Sequence, residues 1–428
     1  MVAEIFLQNG RVKVFRVNLN FWTVTPKINI KIRTYTLNSN NYLLYLPQNL
    51  FDMLPRYYNH VKDLISDDKV LIIYGSRRVG KTTLLKNLLA SSGLKYRIDS
   101  GENIRINQIL SSNDFALLSE YIEGVDILAI DEAQEIDGIG KGLKILIDHH
   151  PRVKLIATGS SSFDLSQKIG EPLTGRKKVI KLFPFSQGEL LYHFTKFELK
   201  SHLHDYLIFG SYPEVVTNKT RQDKVEIIDE LVSSYLLKDI LALDKIRNPK
   251  VLFNLLKLLS LQVGNLVSIN ELAGQLHIDG KTVNRYLDLL EKTFIIFKLG
   301  SFSSNPRKEI TKKSKYYFFD NGIRNGIIMQ FGPLELRNDV GSLWENFMVS
   351  EFYKKNAYLK LFQQLLFWRN FNGQEIDLII EKDGELKTFE FKWKKDSGKL
   401  PNDFKKKYGT VEYQIINQKN YLEYLKLE

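Results

Sequence analysis

Three short apolar runs, Val70–Tyr74, Val125–Ile130 and Val153–Ala157, and a mixed fourth, Lys178–Phe183, punctuate the stretch between residues 70 and 183. Runs apolar on both faces predict parallel strands covered by helices on either side. Leu84, Leu85, Leu88 and Leu89 recur at helical spacing directly after the first run, so a helix follows the first strand. Leu50–Ile65 also carries apolar residues near helical spacing and predicts a helix leading into an α/β core over residues 48–185. Past Phe185 the period turns helical, with Val225, Ile228, Leu231, Val232, Tyr235 and Leu236 at intervals of three and four. Residues 186–249 are therefore expected to form a helical lid. Lys250–Gln262 predicts a helix, Ser268-Ile-Asn-Glu271 a capping box opening a second, and Asp279–Lys292 a third with Leu287, Leu289 and Leu290 inward. Strands Phe294–Leu299 and Lys315–Phe319 then flank a loop from Ser303 to Ser314. Three helices and such a hairpin, over 250–319, make a winged helix. Residues 320–428 start an amphipathic helix near Leu343 and continue with strands Leu365–Arg369, Glu375–Ile380 and Thr388–Trp393, an α/β unit. Residues 1–47 alternate, with Ile28, Ile30 and Ile32 on one strand face and Lys27, Lys31 and Arg33 nearby. They predict a basic, β-rich extension, an appended leader or a binding arm.

Chemistry enters at the first turn. Gly75-Ser76-Arg77-Arg78-Val79-Gly80-Lys81-Thr82-Thr83 matches G-x-x-x-x-G-K-[ST] between strand and helix, the context in which that motif cradles nucleotide phosphates. The glycines permit close backbone approach, the loop N–H groups and helix N-terminus supply positive potential, Lys81 reaches the β- and γ-phosphates, and Thr82 ligates Mg²⁺. The second run ends in Asp131-Glu132, which predicts Asp131 as a Mg²⁺ ligand and Glu132 as the base that polarises the attacking water. The third ends in Thr158-Gly159-Ser160, hydroxyls placed to sense the γ-phosphate or orient the water. Arg176, just before the fourth strand, stands where an arginine finger would project into a neighbouring subunit; a surface or same-subunit role remains the alternative.

The 428-residue chain is too long for one ordinary core and implies about three domains. It has no cysteine, which excludes disulfides and thiolate metal sites and fits a cytoplasmic setting. The opening residues lack a basic segment followed by an apolar one, and no run of about 18 uncharged apolar residues occurs, so no secretory signal and no membrane contact are expected. A net charge of +12 favours an acidic partner such as DNA. On the third helix of the winged helix, Lys281, Thr282, Asn284 and Arg285 form an outward set suited to a major groove, and Arg307, Lys308, Lys312 and Lys313 suit phosphate contacts. A packing or protein-binding role for this module is the competing reading.

In the last hundred residues Glu375-Ile-Asp377 and Glu390-Phe-Lys392 lie on adjacent predicted strands. Side chains at i and i+2 share a face, so Glu390 and Lys392 point together and Asp377 meets them. With Glu345 from the helix, these carboxylates predict a site for one or two Mg²⁺ or Mn²⁺, and Lys392 would orient a hydroxide for phosphodiester cleavage.

The order of the two nucleotide motifs, Thr-Gly-Ser-Ser-Ser, Leu-Thr-Gly-Arg, Tyr-Pro-Glu-Val-Val, Tyr-Leu-Leu-Lys-Asp, Tyr-Phe-Phe-Asp320, Trp-Glu-Asn-Phe, Glu-Ile-Asp-Leu-Ile and Glu-Phe-Lys resembles a prokaryotic AAA-type ATPase family. Its C-terminal domain of unknown function contains a PD-(D/E)xK nuclease-like fold. The resemblance covers roughly residues 48–395 and implies an α/β fold: an ASCE P-loop core with a parallel sheet, a winged helix and a restriction-endonuclease-like α/β end. It implies ATP and Mg²⁺ as ligands and retains Glu345, Asp377, Glu390 and Lys392 at the nuclease positions. The function expected is a Mg²⁺-dependent ATPase coupling nucleotide state to DNA binding or cleavage, with a homo-oligomer formed through Arg176. The alternative is a nucleotide-dependent switch or scaffold for a protein partner, with a non-cleaving C-terminal domain.

Overall fold

The computed structural model describes residues 54–60, 64–66, 68–160, 173–236, 248–303 and 314–427, with two short strands near the start. The chain separates into compact units over 1–53 and 54–428. In the first, β1 (Leu7–Gln8) and β2 (Arg11–Val12) pair antiparallel; the strand expected around Ile28, Ile30 and Ile32 lies outside the described residues. Arg307, Lys308, Lys312 and Lys313 lie outside them too.

In the second unit β3 (Val70–Tyr74), β4 (Tyr96–Ser100), β5 (Ile127–Asp131), β6 (Lys154–Gly159) and β7 (Lys177–Lys181) form one sheet in the order β4-β5-β6-β3-β7. Every pairing in it is parallel. Val70, Ile72, Ile73, Ala129, Ile130, Ile156 and Ala157 are fully buried, as expected of strands covered on both faces. Because all strands run the same way, their C-terminal ends meet at one edge, and β6 stands between the strand feeding the loop and the strand ending in Asp131. β4 escaped the hydrophobic pattern: Tyr96-Arg-Ile-Asp-Ser is polar because it is an edge strand with exposed side chains.

The helix expected over Leu50–Ile65 is, within the described residues, one 3₁₀ turn at Tyr57–His60. Its apolar residues serve as an entry to the core through Tyr58 and Leu64, both buried. Short helices, Gln187–Leu190, Lys196–Ser201, Leu203–Phe209, Pro213–Thr217 and Arg221–Glu230, fill the next segment.

The helix Pro249–Leu261 is followed by β8 (Leu266–Val267), then the helices Ile269–Leu276 and Gly280–Lys292, then β9 (Ile296–Ser301) and β10 (Ser314–Phe318). β11 (Gln364–Arg369), β12 (Glu375–Lys382), β13 (Glu385–Phe391) and β14 (Glu412–Ile416) follow the helix Val340–Tyr358. These strands make a single seven-stranded sheet, β14-β13-β12-β11-β9-β10-β8, closed by the parallel pair β9·β11 at Leu366↔Gly300 and Phe367↔Ser301. The sheet is therefore continuous across the boundary at 319/320 that periodicity suggested. Residues far apart in the chain share its faces. The Trp-Glu-Asn-Phe segment shows how they are joined: Trp344 is buried, Glu345 meets Lys315, and Asn346 Oδ1 accepts from Phe318 N at 2.7 Å.

Candidate functional site

The loop after β3 closes on itself. Lys81 Nζ donates to the carbonyls of Gly75 and Ser76, both at 3.0 Å, and only 4% of the residue is exposed. Gly80 has φ +92°, a left-handed turn that starts the helix Lys81–Ser92. Gly75 has a different reason from the one sequence suggested: an added Cβ would lie 2.2 Å from the Leu182 carbonyl oxygen, so strand packing demands the glycine. Thr82 Oγ1 donates to Asp131 Oδ2 at 2.7 Å, and Thr158 Oγ1 to Asp131 Oδ1. The hydroxyl of Thr158 also accepts from Glu132 N at 3.1 Å. Thus β6, standing between β3 and β5, supplies a fully buried hydroxyl that fixes both acids. An oxygen-only set of hydroxyl and carboxylate at the start of a helix suits Mg²⁺.

Glu132 is held at φ +50°, a conformation costing a non-glycine residue about 1–3 kcal/mol. Gln134 Nε2 donates to its Oε2 at 2.6 Å and to Ser160 Oγ at 3.4 Å. Ser160 thus bears on the acid through Gln134, which sequence reasoning passed over; the signal was a polar residue two positions after Asp-Glu. Thr83 occupies the same first turn and is half-buried, and Val79 is wholly buried beneath the loop.

Three residues of the loop reach beyond the sheet. Ser76 Oγ lies 3.0 Å from Tyr212 OH. Arg78 pairs with Glu214 at 3.2 Å and Glu230 at 2.7 Å. The carbonyl of Val79 accepts from Arg56 Nη1 at 2.5 Å. Arg56, 3% exposed, donates onward to Glu189 Oε1 at 2.8 Å, Phe183 O at 2.6 Å and Tyr358 OH at 3.1 Å, and stacks over Phe185. Burial alone would raise the Glu189 carboxyl, but the guanidinium holds it below the usual value. Arg56 was missed; a lone cation in the apolar Leu54-Pro-Arg-Tyr-Tyr run was its trace. Ser211, beside Tyr212, donates its N–H to Asp320 Oδ2 at 2.7 Å, which explains why Tyr-Pro-Glu and Tyr-Phe-Phe-Asp occur together.

Arg176 sits at the opposite edge of the sheet. Its carbonyl accepts from Val70 N, the first residue of β3, and its side chain pairs with Asp148 at 2.5 Å. A strand of five residues, about 16 Å at 3.3 Å each, separates it from the loop of its own chain. Within its own chain the side chain is engaged with Asp148.

On the helix Gly280–Lys292, Lys281, Asn284 and Arg285 are exposed, as expected. Thr282 is not part of that outward set: its N–H and hydroxyl bind the Asp279 carboxylate at 2.8 and 2.7 Å, because the helix N-terminus needs a cap.

At the C-terminal carboxylates, the β12·β13 register pairs Leu378 with Phe389, and its continuation sets Asp377 opposite Glu390. Phe391 N donates to Asp377 Oδ2 at 2.8 Å, and Lys392 pairs with Glu390 Oε1 at 2.5 Å. Burial, then the charges of Glu345 and Glu390, push the Asp377 carboxyl well above the ordinary carboxylate range. Glu345 is engaged elsewhere, accepting from Tyr317 OH at 2.6 Å and Lys315 Nζ at 2.8 Å. Among the described residues no group of three or more His, Cys, Asp or Glu side chains stands close enough to hold a metal ion. The expected three-carboxylate site is corrected accordingly, with Glu345 Oε1 taken by Lys315 and Tyr317. One buried oxygen, Glu390 Oε2, has no hydrogen-bond partner among the described residues.

Residues 67–191 match the model of the AAA domain, and residues 200–333 and 340–426 match two domains of unknown function, DUF8612 and DUF4143. An uncharacterized protein of Mycobacterium tuberculosis is 26% identical over 327 residues, spanning 76% of this chain and 70% of that protein. One of Haemophilus influenzae is 25% identical over 356 residues, spanning 77% and 84%. A Walker-type ATPase of Pyrococcus abyssi aligns in structure over 60% of this chain and 91% of its own, at 17% identity and a TM-score of 0.43. The parallel sheet, the loop geometry and the AAA match support a P-loop ATPase core. Nucleotide binding and hydrolysis belong to that class. No helix among the described residues is long and apolar enough to cross a membrane.

Proposed function

We propose that this protein hydrolyses ATP in the cytoplasm and couples its nucleotide state to DNA binding. The convergence of Lys81, Thr82, Asp131, Glu132 and Thr158 at one sheet edge carries the first half of this reading. Mg²⁺ at Thr82 and Asp131 would offset the charge of the phosphates. Lys81 leaves the Gly75 and Ser76 carbonyls to bind phosphate oxygens, Glu132 takes a proton from the attacking water, and Thr158 keeps both acids oriented.

DNA binding draws support from the exposed Lys281, Asn284 and Arg285 on one winged-helix-like face and from the charge of +12. Lys281→Ala combined with Arg285→Ala should lower the slope of log affinity against log salt by about one per lost phosphate contact, with ATP affinity unchanged. Equal DNA affinity in mutant and unaltered protein would turn the reading to the alternative, an ATP-dependent switch or scaffold for a protein partner. The same mixtures, with plasmid or single-stranded DNA and Mg²⁺ or Mn²⁺, read cleavage. Glu390 stands opposite Asp377 in register, with Oε2 lacking a hydrogen-bond partner among the described residues and Lys392 on Oε1, which supports a cation there and a nuclease role. The hold of Lys315 on Glu345 supports the non-cleaving domain.

Assembly through Arg176 is part of the proposal. Its distance from its own loop leaves the finger a neighbour's site to serve. Mixing Arg176→Ala with Lys81→Ala protein should restore part of the ATPase activity, because one composite site between the two defective chains is intact. Absence of rescue in demonstrably mixed assemblies would leave Arg176 as the surface partner of Asp148.

A further inference from the structure

Lys315 is the second residue of β10, yet its ammonium reaches β12, three strands along with β9 and β11 between. The nitrogen lies 5.4 Å from the centre of the Phe367 ring on β11 and ends between two acids, 2.8 Å from Glu345 Oε1 and 2.5 Å from Glu375 Oε1. Only 1% of the residue is exposed. Its stem is packed on the sheet, so the cation has no room to swing out to solvent or to a phosphate. The second oxygen of Glu375 is 3.5 Å from Arg369, and Tyr317 OH shares Glu345 Oε1. Two carboxylates, one from a helix and one from a strand, thus meet on one buried positive charge.

Bridging two carboxylates in a nuclease-like fold is the task of a divalent ion. Here the residues do not fit that ion, because the position between Glu345 and Glu375 is already filled by a side chain. We propose that Lys315 is the resident cation of this cluster, covalently supplied in place of a metal bridging Glu345 and Glu375. Its consequences are structural and chemical. The ammonium ties β10 to β12 and to the helix Val340–Tyr358 at any metal concentration, and any metal this domain takes is limited to the Asp377 and Glu390 side. The inference deepens the reading of the C-terminal domain and stands apart from the nucleotide site.

The test counts Mn²⁺ bound to the nucleotide-free full-length protein by the electron paramagnetic resonance of the free ion. Glu345→Gln should leave the number bound to the unaltered protein unchanged, since Glu345 ligates none. A Mn²⁺ lost in Glu345→Gln or Glu375→Gln would overturn the proposal without needing any Lys315 variant. Lys315→Met removes the internal cation and should gain about one Mn²⁺ per chain, lost again on adding Glu345→Gln. Retained ATPase turnover shows that the Lys315→Met protein is folded; a folded variant that gains no Mn²⁺ also overturns it. A failed nucleotide site would show instead as lost turnover in every variant, with these metal counts unaffected.

Discussion

Glu132→Gln protein is expected to bind ATP as the unaltered chain does and to hydrolyse it at least about 10²-fold more slowly, the range a positioned general base supplies. The amide keeps the size of the side chain and the hydrogen bond from its own N–H to Thr158, but it has no basic oxygen to accept a proton from water. Lys81→Ala should differ in kind, losing ATP binding itself, because it removes the ammonium buried inside the loop turn. Equilibrium binding of a fluorescent nucleotide and single-turnover hydrolysis separate the two. Unchanged turnover in Glu132→Gln would remove the role of base from Glu132.

Arg56→Met should cost about 3–5 kcal/mol of stability in chemical denaturation, since it strands the Glu189 carboxylate without its partner in a fully buried position. It also frees the Val79 carbonyl, so ATP affinity should fall with it. Replacing both, Arg56→Met with Glu189→Met, should recover much of the stability while leaving the affinity loss, because the apolar pair has no charge to bury but still lacks the tie to the loop. Recovery of both, or neither, would contradict the clamp. The pH dependence has a definite sign. Glu189 titrates below its unfolded value, so the pair's contribution is complete above about pH 4.3 and is lost as pH falls through the lower, folded value.

Arg56 also links the phosphate loop to the helix that leads to the C-terminal sheet. Tyr358, its phenolic partner, and Glu345, the partner of Lys315, are on the same helix, thirteen residues or about 20 Å apart. A rigid helix therefore has one end on the clamp that holds the loop and the other on the carboxylate cluster.

Local sequence was enough where chemistry and periodicity fall within one turn or strand. The phosphate loop, the strand ending in Asp131-Glu132, the hydroxyl at Thr158 and the helix carrying Lys281 and Arg285 were legible because each is written in fewer than about fifteen residues of pattern. The cross-strand placement of Asp377 and Glu390 was legible for the same reason: a period of two fixes which face each side chain takes. The edge strand β4 and the cap formed on Thr282 were not, since exposure removes the apolar signal and a polar side chain near a helix start reads equally as surface or as cap.

What tertiary structure alone decided are the partners of buried charges. Arg56 finds Glu189 across 133 residues, and Lys315 reaches Glu375 only because β9 and β11 pair in parallel and bring the hairpin alongside the C-terminal strands. Arg176 was assigned its end of the sheet by the direction of β7, and Glu345 took Lys315 and Tyr317 as its partners. Sequence determined that these groups carry charge and on which element they lie. A buried charge, however, takes whichever opposite charge the packed sheets bring within reach, and that choice belongs to long-range register, which no local pattern encodes.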